Sequence, residues 1–468
     1  MNMENFWDSN TWGTLLVIAA LLLSLLAANS LKRVFPVLQA CLIPTSVLGG
    51  TILMIVAGLY KLFTGDVMFE TQIFGGNGMA TLEVITYHTL ALGFIASTFK
   101  SSDAKMSKQR TVEIFNTGVT TVSTYLIQAI LGFAITFAAT LIMKDFFAAA
   151  GVLLPFGFGQ GTGQAMNYGV IYETEFGFSG GKSFGLTIAA LGFLSASIGG
   201  VIHLNLLRKR GKIKWNPSVV ETAQPIEEEI QAADEIPMQG SMDKTTVQIA
   251  FVFVAYFLAY LLMLALGKLL PGMRSVIFGF NFLLGVLAAT LTKVVLNFMR
   301  KKGIMRRQHI NNFLMTRISN FFFDIMVVSG IAAIRLGILE QYWGIILVLG
   351  IVGLVATYSY NYYVAKTLFP DYTEEQFLMM FGMLTGTAST GVILLREIDG
   401  HFKTPAADNL VYQNFPAIVF GFPMMLLATL APRKPALTFI ILVVFFIAMN
   451  IILFRSRLFK RKNVVAGK

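Results

Sequence analysis

Eleven apolar stretches follow one another along this chain, at 11–31, 47–63, 81–99, 117–143, 184–207, 247–269, 275–298, 313–336, 343–365, 410–430 and 437–454. Each is close to the ~20 residues that a helix needs to cross the hydrocarbon core of a bilayer. Nothing else in the sequence constrains the fold as strongly, because in lipid every backbone N–H and C=O must be paired within the protein, and stretches of this kind then have to be helices. Composition agrees: 55% of the 468 residues are apolar and 13% are charged, with a mean hydropathy of +0.69, more than a water-soluble core uses. The expected fold is an all-α polytopic membrane protein. Its net charge of +11 does not point to nucleic acid, since Lys and Arg cluster in short loops between spans, as orientation signals do. The one cysteine, Cys41, excludes an internal disulfide.

Two segments interrupt this plan. PFGFGQGTGQAMNYGVIYE, at 155–173, has glycine at 157, 159, 161 and 163, so the backbone there can bend sharply and approach another group closely. An ordinary helix is not expected over this run. At membrane depth such a break is tolerated only where it is buried in protein or lines a wet cavity; the other reading is a connecting loop at the membrane surface. Neither the dinucleotide fingerprint nor the phosphate loop fits its spacing. MMFGMLTGTASTGVILLRE, at 379–397, again sets small and hydroxyl residues ahead of Gly-Val-Ile, about half a chain away. Paired broken segments at matching positions in two halves point to the binding site of an inverted-repeat transporter.

The expected organisation is therefore two inverted five-helix repeats, each with a re-entrant hairpin, plus one extra C-terminal transmembrane helix. The N-terminal repeat covers 1–207, a polar, Pro-containing linker 208–244, the C-terminal repeat 245–430, and the extra helix with its basic tail 431–468. The acidic N-terminus lacks the basic region of a cleavable signal peptide, so the first span is expected to stay. Basic residues fall in alternate loops (Lys32 and Arg33; Lys100, Lys105, Lys108 and Arg110; 208–214; 300–307; 455–462). This places the N-terminus outside and the C-terminus inside. Five spans per half turn the two halves in opposite directions.

GQGTGQA at 159–165, EFGFSGGKSFGLTIAALGFL at 175–194, and NFPAIVFGF at 414–422 after the second hairpin resemble the bacterial sodium/glutamate symporters, the glutamate:sodium symporter family. As a divergent member the chain carries Gln160 where that family's first hairpin has histidine. The resemblance implies sodium-coupled import of L-glutamate or a related small carboxylate, a homodimer, and the bacterial cytoplasmic membrane, with sodium as coupling ion and no other cofactor.

Helix ends supply the chemistry. A broken membrane helix leaves unpaired N–H groups at one end and unpaired C=O groups at another, suited to a carboxylate and to sodium respectively. The candidate substrate residues are Gln160, Gly161, Thr162, Gly163, Gln164, Asn167, Gly386, Thr387, Ala388 and Ser389. The candidate sodium ligands are the oxygens of Thr162, Thr385, Thr387, Ser389, Thr390 and Asp324, since a hard cation takes neutral oxygens; each hydroxyl alternatively bonds back to its own helix. Asp324 lies mid-span, either as a counter-ion or as a structural partner of Arg317 or Arg335. Arg396 either meets a substrate carboxylate or is a surface orientation charge. Gly161 and Gly386 are expected at the hairpin tips, where an added methyl would clash with ligand or the opposing hairpin, or impose strain where φ is positive. The spans lack a nucleophile–base set, so an enzyme is not expected. A sodium- or proton-coupled carrier of another organic anion and a channel are the alternatives.

Overall fold

The computed structural model describes residues 5–100, 107–143, 146–213, 235–238, 240–400 and 402–458. Most of the expected linker, together with Lys105, Lys144, His401 and the tail from 459, lies outside them. In chain order the helices are α1 (Ser9–Val34), α2 (Pro36–Ala40), α3 (Thr45–Thr64), α4 (Gly78–Phe99), α5 (Lys108–Ala139), α6 (Leu153–Phe176), α7 (Gly181–Lys209), α8 (Lys244–Leu269), α9 (Arg274–Gly279), α10 (Asn281–Lys301), α11 (Asn312–Ala332), α12 (Leu336–Leu368), α13 (Thr373–Thr385), α14 (Ala388–Arg396), α15 (Ala406–Tyr412), α16 (Asn414–Leu430) and α17 (Pro435–Leu453). Among the described residues ten helices are long and apolar enough to cross a membrane, eleven if α15 and α16, bent by 51°, form one span. They coincide with the eleven apolar stretches, and the chain is an all-helical multi-pass membrane protein.

Local sequence sets the helix ends. Asp8, Ser107, Asp243 and Asn311 cap α1, α5, α8 and α11 by accepting from backbone N–H groups of the first turn, which would otherwise lack partners. Pro435 opens α17, where its missing N–H costs nothing. The outer faces are apolar: Ile440, Val444, Ile447 and Ile451 form one exposed stripe on α17. Such a stripe suits lipid and not water.

The helices pack into two compact units. The first contains Met1–Ala104, Gly161–Ala190 and Gly211–Trp343; the second contains Lys105–Gln160, Leu191–Arg210 and Gly344–Lys468. In the first, α4 lies along α11. Ser319 Oγ donates to Gly93 O at 2.9 Å, Thr86 and Ser329 hydroxyls meet at 2.8 Å, and Gly93 leaves room for the Phe323 ring, which a Cβ there would touch at 2.8 Å. Leu92, Ile95, Phe99, Val252, Ala289 and Met315 make its apolar core. In the second, α5 packs against α16 and α17 and against the short helix that precedes α6. There Gly132 and Gly151 face each other so closely that a Cβ on either would overlap the other's carbonyl, the small-residue packing by which membrane helices associate without a hydrophobic drive.

Candidate functional site

The glycine run is helical except at one residue. Gly161 has φ 78° and ψ −170°, a combination open only to glycine, and it divides α6 into two arms. The run is thus no ordinary continuous helix, and its departure is confined to Gly161, the expected tip; the neighbouring glycines keep helical φ/ψ. Gly163 lies against Leu90 and Met326, which a Cβ would meet at 2.8 and 2.9 Å.

The second arm of α6, in the first unit, packs against α11. Thr162, fully buried, donates from Oγ1 to Met326 O at 3.1 Å, and Gly330 makes room for its side chain. One turn on, two amides settle each other's orientation. Asn167 Nδ2 donates to Gly279 O at 3.2 Å and to Gln164 Oε1 at 2.8 Å. A backbone carbonyl only accepts, so the nitrogen of Asn167 must face Gly279, and Gln164 must turn its oxygen toward Asn167. That leaves Gln164 Nε2 buried with no hydrogen-bond partner. An unmet buried donor costs about 1–3 kcal/mol, and a carboxylate oxygen is the acceptor that answers it most strongly.

Asp324 points elsewhere. Although it is two residues from Met326, its carboxyl lies near Ser46 of α3, while Arg335 reaches Glu83 at 3.6 Å and Lys182 pairs with the same glutamate at 2.8 Å. Glu83 is thus an ion-pair partner, and His88 shares a hydrogen bond with Tyr256.

In the second unit the first arm of α6 ends at half-buried Gln160. Tyr125 donates its hydroxyl to Gly159 O at 3.1 Å. The other break lies between α13 and α14. Gly386 has φ −140° and ψ −107°, so its φ is not positive; the chain turns there through a conformation that is neither helical nor extended and enters α14 through extended backbone at Thr387. Thr385 bonds back to Phe381 O at 2.6 Å, the local alternative weighed for each hydroxyl. Thr387 and Thr390 interact across the first turn of α14, with Thr387 N donating to Thr390 Oγ1 at 3.4 Å. Ala388 is exposed and Ser389 half-buried. Gly192 of α7 seats the first arm of α6 and the end of α13: a Cβ there would lie 2.5 Å from Thr385 O and 3.2 Å from Phe158 Cα. Arg396 is exposed and stacks on Phe402, in keeping with a surface charge.

Two further polar clusters lie in the second unit. Along α5, Thr117, Thr121, Thr124 and Gln128 are buried and hydrogen-bond to Gln376, Gln413, Asn361 and Thr357. Their spacing of four, three and four residues is one helix face and was legible. His203 of α7 lies 2.7 Å from the Tyr358 hydroxyl and 2.9 Å from Glu374 Oε2, beneath the rings of Tyr362 and Phe377; its partners are too far along the chain for any local signal. No family model matches this sequence, and no curated protein matches it.

Proposed function

We propose that the protein is a secondary active transporter that imports L-glutamate or a related small carboxylate together with sodium by alternating access. In this reading the halves are inverted repeats, α6 and the α13–α14 pair are re-entrant hairpins, the N-terminus lies outside and the C-terminus inside a bacterial cytoplasmic membrane, and the transporter works as a homodimer. It is not an enzyme.

One observation carries the reading: beside the break at Gly161 the buried Nε2 of Gln164 has no acceptor. The second arm begins there, at the positive end of a helix, so Gly161, Thr162, Gly163 and Gln164 offer donors to an anion, with Asn167 holding Gln164 in place. Gln160 borders the break from the other arm. The carbonyl end of α13 and the hydroxyls of Thr385, Thr387, Ser389 and Thr390 supply oxygens of the kind a sodium ion takes, with Gly386 and Ala388 at the turn. A glycine-interrupted helix within apolar surroundings is the usual way for a transporter to expose backbone to its substrate.

The test is uptake into proteoliposomes with a panel of amino acids and dicarboxylates. Saturable uptake of a small carboxylate that follows an inward sodium gradient supports the proposal; flux that does not saturate supports a channel. Buried His203, paired with half-buried Glu374, favours a second reading, in which protons are the coupling ion, and uptake driven by a pH gradient without sodium would select it.

A further inference from the structure

Gln128, on α5 in the second unit, is fully buried. Its Nε2 donates to Thr357 Oγ1 at 2.8 Å and to Leu384 O at 3.0 Å. Because Leu384 O is a carbonyl it can only accept, so the amide cannot be turned over. Oε1 is left as a buried acceptor with no hydrogen-bond partner. Leu384 is the penultimate residue of α13, so its carbonyl belongs to the last four that have no partner within the helix, at the end where the peptide dipoles leave partial negative charge. Thr357 is joined through its own carbonyl to Asn361, whose Oδ1 accepts from Thr124 at 3.5 Å. These partners are neutral oxygens and amides.

We infer that Gln128 Oε1, at the side chain that tethers the carbonyl end of α13, is a ligand of a sodium site. An orphaned oxygen needs a donor or a cation. The negative end of a helix favours the cation, and a donor set of neutral oxygens suits a hard monovalent ion, since a divalent one is normally held with carboxylate charge. The site rests on the sodium-coupled reading and adds ligands outside both broken segments: Gln128 tethers the carbonyl end of the second break, so an ion held there fixes that end in place.

The experiment is the thermal unfolding of the full-length purified protein while sodium chloride replaces choline chloride at constant ionic strength. Sodium should raise the midpoint of the wild type. In Gln128→Leu the sodium concentration for half of that effect should rise about tenfold or more, or the effect should vanish. Gln128→Glu keeps an oxygen and adds charge beside Leu384 O, so its half-effect concentration should fall below that of the wild type. A wild type indifferent to sodium would overturn both the site and sodium coupling. A sodium response unchanged in Gln128→Leu would overturn the site alone and assign Oε1 to water. Should Gln128→Leu not fold, Gln128→Glu decides: a half-effect concentration equal to or above that of the wild type overturns the inference.

Discussion

Two apolar helices are broken at glycine in this protein, and the two breaks differ in what they present. At Gly161 the backbone turns through a conformation that only glycine adopts, all of 161–169 is buried, and the unmet group nearby is a donor, Gln164 Nε2. At Gly386 φ is negative, −140°, and the chain becomes extended only at Thr387, the tip at Ala388 is exposed, and the unmet group beside the end of α13 is an acceptor, Gln128 Oε1. Similar sequence patterns therefore leave opposite groups unmet, a donor beside the first break and an acceptor beside the second; in the proposed function the first takes the anion and the second the cation.

Gly161→Ala should break this contrast most severely. A side chain at φ 78° and ψ −170° costs about 1–3 kcal/mol or more, and relief would re-aim the N–H groups that follow. Uptake should be nearly abolished while the protein still inserts, as judged by its amount in the membrane. Gln164→Leu comes next: the substrate KM should rise about tenfold or more, as for a hydrogen bond lost to a charged group, with the sodium dependence at saturating substrate unchanged. A shift in sodium dependence of the same size would erase the division between the two breaks.

Gly386→Ala should have a smaller effect than Gly161→Ala. At φ −140° there is no left-handed strain, and the added methyl first meets Thr390 Oγ1 at 2.7 Å, the end of a side chain that can rotate. Uptake equally damaged by both substitutions would mean that the breaks share one design.

The smallest effect concerns Glu397, in the loop after α14. Burial pushes its carboxyl above the usual glutamate value of 4.5, while Arg208, 3.6 Å away, pulls it down. A folded-state value above the unfolded one means that the native protein holds the extra proton between the two, so stability declines as pH rises through that window. Melting midpoints measured from pH 4.5 upward should fall less steeply in Glu397→Gln than in the wild type.

The spans were legible because a continuous apolar run of helix length has one solution in lipid. The first break was legible too, since Gly161, expected as the tip, is the residue that leaves helical φ/ψ; that Gly159 and Gly163 stay helical was not, because it follows from what they pack against, Tyr125 for the one and Leu90 and Met326 for the other. Long-range pairing was hidden altogether. His203 finds Tyr358 and Glu374 at separations of 155 and 171 residues, and which amide atom of Gln164 or Gln128 is left unmet depends on carbonyls supplied by Gly279 and Leu384. Segments from both halves of the chain contribute to each packing unit, which the order of spans does not reveal.

The claim that the first break receives a carboxylate is tested most directly by sodium-driven uptake of labelled L-glutamate and of its amide analogue L-glutamine, comparing wild type with Gln164→Leu. The account predicts saturable glutamate uptake whose KM rises in Gln164→Leu, with maximal rate and sodium half-saturation preserved. Glutamate kinetics identical in the two proteins would contradict it.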